Sequence, residues 1–349
     1  MPSTSTAGRG RRKTGPSIED VARLAGVSSQ TVSRVSNGAD WVAAATRARV
    51  LDAMDQLGYS PNRAARALRS GSFGTLGLAA HRFERTGEAL TTQAVVQAAE
   101  DAGYSVTLLS VRQPAAAHWD RAAQRLSQQA IDGLVIIRAE QATPETLALP
   151  AGLAVAVSDS RLVSHYPSAS VDQVSGSLAA TRHLLDLGHA TVHHLSGPAG
   201  SEPALIRSNT WRRCLEEAGL RPPRAWQGDW TARAGYEAGL RIADDPRITA
   251  VYAANDEMAF GLLRALFERG RRVPEDVSVV GFDGIALSEF SAPPLTTVRQ
   301  DFDRLGRELV RLVLEQLGGA PATGLGRVVI PTELVVRGTT APPPARSRR

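Results

Sequence analysis

The chain has 349 residues, with 40 Lys and Arg against 35 Asp and Glu, a formal net charge of +5. Its 43 % hydrophobic content argues against bulk disorder, and no apolar run approaches the ~18 residues that a membrane helix needs. Cys214 is the only cysteine, which excludes disulfide frameworks and cysteine-based zinc sites and favours a cytoplasmic chain.

The charge is unevenly placed. Residues 1–75 carry a net +6, residues 76–336 a net −5 and residues 337–349 a net +4. A basic module ahead of a mildly acidic body suggests a polyanion reader joined to something that is not one. Residues 1–15 form a basic arm without the apolar stretch of a secretory signal, and disorder is expected there.

Residues 17–58 are predicted to fold as three short helices. Ser17 and Asp20 have the spacing of a capping box, and Ile18, Val21, Ala22 and Ala25 fall on one face behind it. Gly26 breaks that helix. Ser28 is a candidate cap for a second helix, Ser29 to Val35, with Val32 and Val35 inward and Asn37-Gly38 as its stop. The third spans Ala44 to Leu57, with Val50, Met54 and Leu57 inward. Pro61 then opens a fourth short segment through Asn62 to Leu68.

From Thr75 onwards, apolar runs alternate with longer amphipathic stretches. Strands are predicted at Leu76–Ala80, Val106–Leu109, Gly133–Ile137, Leu153–Val157, Thr191–Leu195, Ala250–Ala254 and Val277–Phe282. Helices are predicted at Thr92–Ala102, Ser175–Leu187, Ile206–Ala218, Ala232–Ala243 and Glu257–Arg269. This alternation is that of doubly wound parallel sheets, and the strands are too many for one sheet, so two α/β subdomains are expected. Ala341 to Arg349, with three consecutive prolines, is expected to be a disordered tail.

Two helices about a glycine turn, with polar residues opening the second, have the helix-turn-helix layout. Its second helix enters the DNA major groove. Gln30 can pair with adenine and Arg34 with guanine, Ser29 stands beside them, and Thr31 and Ser33 suit phosphates. A three-helix bundle with a polar outer face fits the same periodicity; the local charge of +6 favours DNA.

In the body, open α/β sheets bind ligands beyond the carboxyl ends of their strands. Asp159, Asp172, Asn255-Asp256 and Asp283 stand at such ends, where an Asp could instead cap the next helix and Asn255-Asp256 could instead order a loop. Trp230 is a candidate ring for the apolar face of a sugar, with core packing as its alternative, and His81 ends the first strand. No phosphate loop or nucleophile elbow is present, which disfavours an enzyme. The pair His193-His194 lacks helical metal spacing and reads as structural, so no metal or cofactor is expected.

Residues 17–71, SIEDVARLAGVSSQTVSRVSNG followed by TRARVLDAMDQLGYSPNRAARALRSG, resemble the headpiece and hinge of the LacI/GalR family of transcription regulators. HLLDLGHATVHHLSG (183–197), NDEMAFG (255–261), VPEDVSVVGFD (273–283) and PPLTTVRQDFDRLG (293–306) resemble its regulatory body, in family order. The resemblance implies a periplasmic-binding-protein-like pair of subdomains behind a headpiece at 16–60 and a hinge at 61–73. The body would span 74–340, the first subdomain about 74–171 plus 302–328 and the second about 172–301 plus 329–340.

The resemblance further implies that Asn62–Leu68 is a hinge helix, ordered when paired with its dimer mate on DNA. Leu68 would wedge into the minor groove, Ala65 would allow close approach, and Arg63, Arg66 and Arg69 would meet phosphates. Thr14, Ser28, Asn37 and Asn62 complete the implied DNA contacts. The implied effector contacts are Asp159, Arg207, Trp230, Asn255 and Asp283, with His81, Gln300 and Phe302 beside them. Gly284 departs from the second Asp or Asn common after GFD, and His81 and Arg82 replace smaller residues. The implied partners are a pseudo-palindromic double-stranded DNA operator, a carbohydrate effector and a second copy of the chain, with no membrane. A dimer is expected because the end of the chain carries no leucine heptads. A free-standing sugar-binding protein of the periplasmic type is the alternative.

Overall fold

The computed structural model describes residues 15–36, 39, 41–60, 71–80, 85–110, 130–137, 147, 149–158, 161–319 and 326–345. Thr14, Asn37, Asn62, Arg63, Ala65, Arg66, Leu68, Arg69, His81 and Asp159 lie outside the described residues, as does nearly all of the expected basic arm. The chain divides into two compact units, one ending at Phe73 and one beginning at Gly74.

The first unit holds α1 (Ile18–Ala25), α2 (Ser29–Ser36) and α3 (Ala44–Leu57). The capping box forms as its spacing predicts: Ser17 N donates to Asp20 Oδ2 at 2.9 Å and Asp20 N to Ser17 Oγ at 3.3 Å. Gly26 and Gly58 end α1 and α3 in the left-handed conformation. Val21, Ala22 and Ala25 meet Val32, Val35, Val50, Ala53 and Met54 in one small core, which Val42 joins from the loop before α3.

The second unit contains two six-stranded sheets. The first is ordered β11-β5-β4-β3-β1-β2 and its pairings are all parallel. Its strands are β1 (Thr75–Ala80), β2 (Ser105–Ser110), β3 (Gly133–Ile137), β4 (Ala154–Ser158), β5 (Ser168–Val171) and β11 (Arg327–Ile330). Period-two alternation divides its core in two. Leu76, Leu78, Val135 and Ile137 face α4 (Thr86–Asp101) and α9 (Phe302–Leu317), while Ala79, Leu134 and Ile136 face Leu109 and Leu162.

The second sheet is ordered β12-β10-β9-β8-β6-β7, parallel except for β12 against β10. Its strands are β6 (His193–Ser196), β7 (Trp226–Gln227), β8 (Ala250–Ala253), β9 (Ser278–Asp283), β10 (Thr296–Arg299) and β12 (Glu333–Val335). Val251, Ala253 and Val279 pack under α7 (Ala232–Ala243) and α8 (Asp256–Glu268). Ala250, Tyr252, Val280 and Phe282 pack on the other face under α5 (Gln173–Asp186) and α6 (Glu202–Glu217). Among the described residues no helix is long and apolar enough to cross a membrane.

Three sequence expectations need correction. The subdomain boundary placed after residue 328 falls inside β11, which pairs with β5 along its whole length from Arg327 to Ile330. The tail is not free from Ala341: its N–H donates to Ser278 Oγ at 3.0 Å, and its carbonyl accepts from Ser278 Oγ at 2.9 Å and His189 Nε2 at 3.0 Å. Helix α4 starts at Thr86 rather than Thr92, because Gly87 and Glu88 of its first turn are buried instead of solvated.

Candidate functional sites

In the first unit, α2 presents one apolar and one polar face. Val32 and Val35 are buried, Gln30 is exposed, and Ser29, Thr31, Ser33 and Arg34 are half-buried. Ser28 Oγ accepts from Thr31 N at 3.1 Å and lies 3.0 Å from Thr31 Oγ1, so Ser28 caps α2 and holds Thr31 in place. The uncompensated N–H groups and dipole of this first turn favour an approaching phosphate. The Arg34 guanidinium lies over the Trp41 ring at 4.6 Å from its centroid. Trp41 was not anticipated from the sequence, where it reads as one apolar residue in a loop.

In the second unit, a cavity of about 280 Å³ opens at the carboxyl ends of β7, β8 and β9. Arg207, Trp230, Asn255 and Asp283 line it together. Arg207, on α6, is 1 % exposed. Its Nε–H donates to Gln173 Oε1 at 2.8 Å, and Nη1 donates to the Ala254 carbonyl and to Asp283 Oδ1, the latter at 3.4 Å. Gln173 Nε2 reaches Gln300 Oε1 at 3.4 Å, and Gln300 Nε2 donates to Asp283 Oδ1 at 2.5 Å. These four side chains close a ring of polar contacts, of which Arg207 and Asp283 line the cleft and Gln173 and Gln300 stand behind them.

Two residues of the cleft have positive φ: Trp230 at 79° and Asp283 at 117°. Such backbone strain is held only where the surroundings over-determine it. The Trp230 indole lies on Gly197, where a Cβ would stand 2.5 Å from the ring. Its carbonyl accepts from Asn255 Nδ2 at 3.0 Å, and its buried Nε1–H has no partner among the described residues. Asn255 also caps α8 by accepting from Met258 N at 3.1 Å, so one side chain both lines the cleft and starts the helix behind it.

Behind the cleft, the Asp256 carboxylate is fully buried and accepts from Ile285 N at 2.9 Å and Thr297 Oγ1 at 2.6 Å. Burial, seconded by the charge of Asp283, pushes its pKa up to about 8. Gly284 has φ +70°, and a Cβ there would stand 2.6 Å from Arg299 Cα. The local backbone therefore suits a glycine at this position.

Gln300 and Phe302 do not line this cavity. They border a second one of about 640 Å³ with Leu90 and Gln93, and Gln300 reaches the cleft through Asp283 and, by way of Gln173, through Arg207. The cleft instead recruits Arg85, Thr86, Asp229 and Glu257. Thr86 donates its hydroxyl to Glu257, a bond that joins the two subdomains across the opening. Asp229 and Glu257 adjoin the quoted Trp230 and Asn255, so their neighbours were a signal; Arg85 and Thr86 were hidden by the late start predicted for α4.

The histidine pair is structural. His194 stacks between Trp211 and Tyr252 and donates Nδ1–H to the Tyr252 carbonyl at 2.9 Å. Complete burial lowers its pKa to about 4. Cys214 is buried, and that burial raises its thiol pKa.

Known proteins share both parts. The family described as "Bacterial regulatory proteins, lacI family" matches residues 17–62, and "Periplasmic binding protein-like domain" matches residues 181–340. The lactose operon repressor of Escherichia coli (strain K12) is 34 % identical over 336 residues, which cover 93 % of this chain and 91 % of that one. The solved lac repressor dimer bound to operator and the anti-inducer ONPF matches with a TM-score of 0.83 at 32 % identity, over 94 % of this chain and 100 % of that one. A transcriptional regulator CelR–cellobiose complex matches with a TM-score of 0.68 at 31 % identity, over 93 % and 99 % of the two chains.

Proposed function

The chain belongs to the lacI family of bacterial regulatory proteins, and from that premise we propose that it is a repressor whose grip on a pseudo-palindromic operator is set by a sugar bound in the Arg207 cleft. It is a DNA-binding transcriptional regulator and not an enzyme. The observation that carries the sugar reading is the cleft's donor and acceptor set. Asp283, Asn255 and Arg207 offer in-plane partners for vicinal hydroxyls, the Trp230 ring offers a face for an apolar sugar surface, and its Nε1–H is unspent. A relative with the same architecture was solved with cellobiose.

DNA reading is assigned to Ser29, Gln30, Ser33 and Arg34 on α2, with Thr31 and its cap Ser28 setting the helix start. The basic first 75 residues supply the phosphate attraction, so affinity falls steeply with salt. Two copies match the two-fold symmetry of a palindrome. Leu287 and Phe290, 58 % and 79 % exposed on the second subdomain, are apolar surface of the kind a second copy covers. Such a regulator works in the cytoplasm, on the nucleoid. Ligand changes operator affinity only through its different affinity for the two subdomain arrangements.

A thermal-shift screen of sugars and purines tests the effector class, because a specific binder stabilises the body by RT ln(1 + [L]/Kd). A purine that stabilises where no sugar does would overturn the sugar reading. A gel shift with and without the stabilising compound tests the coupling to DNA, and light scattering tests the dimer.

A further inference from the structure

We propose that Trp41 is a positioning residue for base reading: its ring holds the Arg34 guanidinium in the plane with which Arg34 meets a guanine edge. The proposal rests on the DNA-reading role given to α2 above. Trp41 is 69 % exposed, so core packing does not account for an indole at this position. The Arg34 guanidinium lies over that ring at 4.6 Å. A guanidinium held over a ring by its face keeps its edge free. A bidentate contact with guanine O6 and N7 uses its in-plane N–H groups, so the two can be made together.

The backbone on either side fixes the ring in place. Ala39 N donates to the Arg34 carbonyl at 3.1 Å. The Ala39 carbonyl accepts from Arg47 Nη2 at 2.7 Å and from Val42 N at 3.3 Å. Val42 is buried in the helical core. Trp41 thus stands between two anchored residues with its side chain outside. Arginine has a large rotamer entropy, and a partner that restricts it before binding reduces what must be lost on the base. The sequence reading of Arg34 as a base reader gains a reason for its precision.

The test uses the full-length protein and selection from a random duplex pool. The guanine read by Arg34 is the position whose preference Arg34→Ala erases. Trp41→Ala is expected to lower preference there about two- to fivefold, the range of an exposed cation–π contact. Trp41→Phe should retain most of it, and the dependence of affinity on salt should not change. In an Arg34→Ala background, Trp41→Ala should cost nothing more. Should Trp41→Ala lower thermal stability, Trp41→Leu, which keeps apolar bulk without a ring, must show the same loss of preference. The proposal is overturned if Arg34→Ala erases no position, if the ring-free variants keep wild-type preference, if they weaken all sequences alike, or if the loss persists without Arg34. A pool from which the wild type selects no site sinks the DNA-reading assignment instead.

Discussion

The Arg207 guanidinium lies over the fully buried Phe282 ring at 3.7 Å from its centroid, so the cation that lines the cleft is backed by an aromatic ring. Burying such a cation is tolerable because Gln173, Ala254 and Asp283 accept its N–H groups. Removing it leaves those acceptors, Asp283 above all, without their donor.

Arg207→Ala is therefore expected to destabilise the body by about 3–5 kcal/mol, the usual cost of breaking a buried pair. Arg207→Lys keeps the charge but loses both the planar stack and the forked donors. It should fold, with a lower unfolding midpoint, and lose the stabilisation that sugar gives the wild type. A sugar-induced thermal shift of wild-type size in Arg207→Lys would remove the guanidinium from the recognition argument.

Asp256 makes stability fall as pH rises. Its folded pKa is about 8 against an ordinary 3.8, so between those values the unfolded chain has lost a proton that the folded chain keeps. Stability must then decline through this window and level off above pH 8. Asp256→Asn should flatten that decline in urea unfolding measured from pH 5 to 9. Matching slopes for both proteins would contradict the assignment.

His194 acts on the acid side. Its folded pKa of about 4 lies below the ordinary 6.5, so below 6.5 the unfolded chain takes up a proton that the folded chain refuses. Its contribution to stability is lost as pH falls from about 6.5 towards 4. NMR of the folded protein at pH 5 should show a neutral His194 ring with the proton on Nδ1; a doubly protonated ring there would disprove this.

Gly197→Ala should weaken sugar binding without touching the sugar. The added Cβ would stand 2.5 Å from the Trp230 ring, which must shift. A cost of about 1–3 kcal/mol in stability is typical of such overpacking. Titration calorimetry should show at least a several-fold weaker Kd, and unchanged affinity would mean that the indole is not part of the ligand wall.

Gly284→Asp should lower the unfolding midpoint. Positive φ alone costs about 1–2 kcal/mol for a residue with a Cβ, and Arg299 stands in the way. A variant as stable as wild type would show that β9 and β10 separate more readily than their packing suggests.

Much of the architecture was legible because burial follows simple periods. Gly133–Ile137 and Ala232–Ala243 coincide with β3 and α7, where five apolar residues in a row and a single apolar stripe leave little ambiguity. β5, SASV, and β7, Trp226–Gln227, are too short or too small-sided to stand out, and only their sheet neighbours make them strands. The cleft divides in the same way. Strand-end Asn255 and Asp283 follow from topology, and Arg207 and Trp230 from resemblance. Arg85 and Thr86 come from a distant turn that meets the second subdomain only in the folded chain. Gln300 and Phe302 share the quoted motif at 293–306, but a motif does not reveal which side of a crossing its residues face.

The two sheets also constrain how the protein can be made. The chain passes between them three times, after β5, after β10 and after β11, so neither subdomain is one continuous segment. The first sheet receives α9 and β11 only after the second sheet is almost complete. Until residue 330 has left the ribosome, β5 is an open edge and the face carrying Leu76, Leu78, Val135 and Ile137 lacks half its cover. The nascent body is therefore most exposed to misassembly late in synthesis, and truncation just before α9 should leave a product that seeks partners elsewhere.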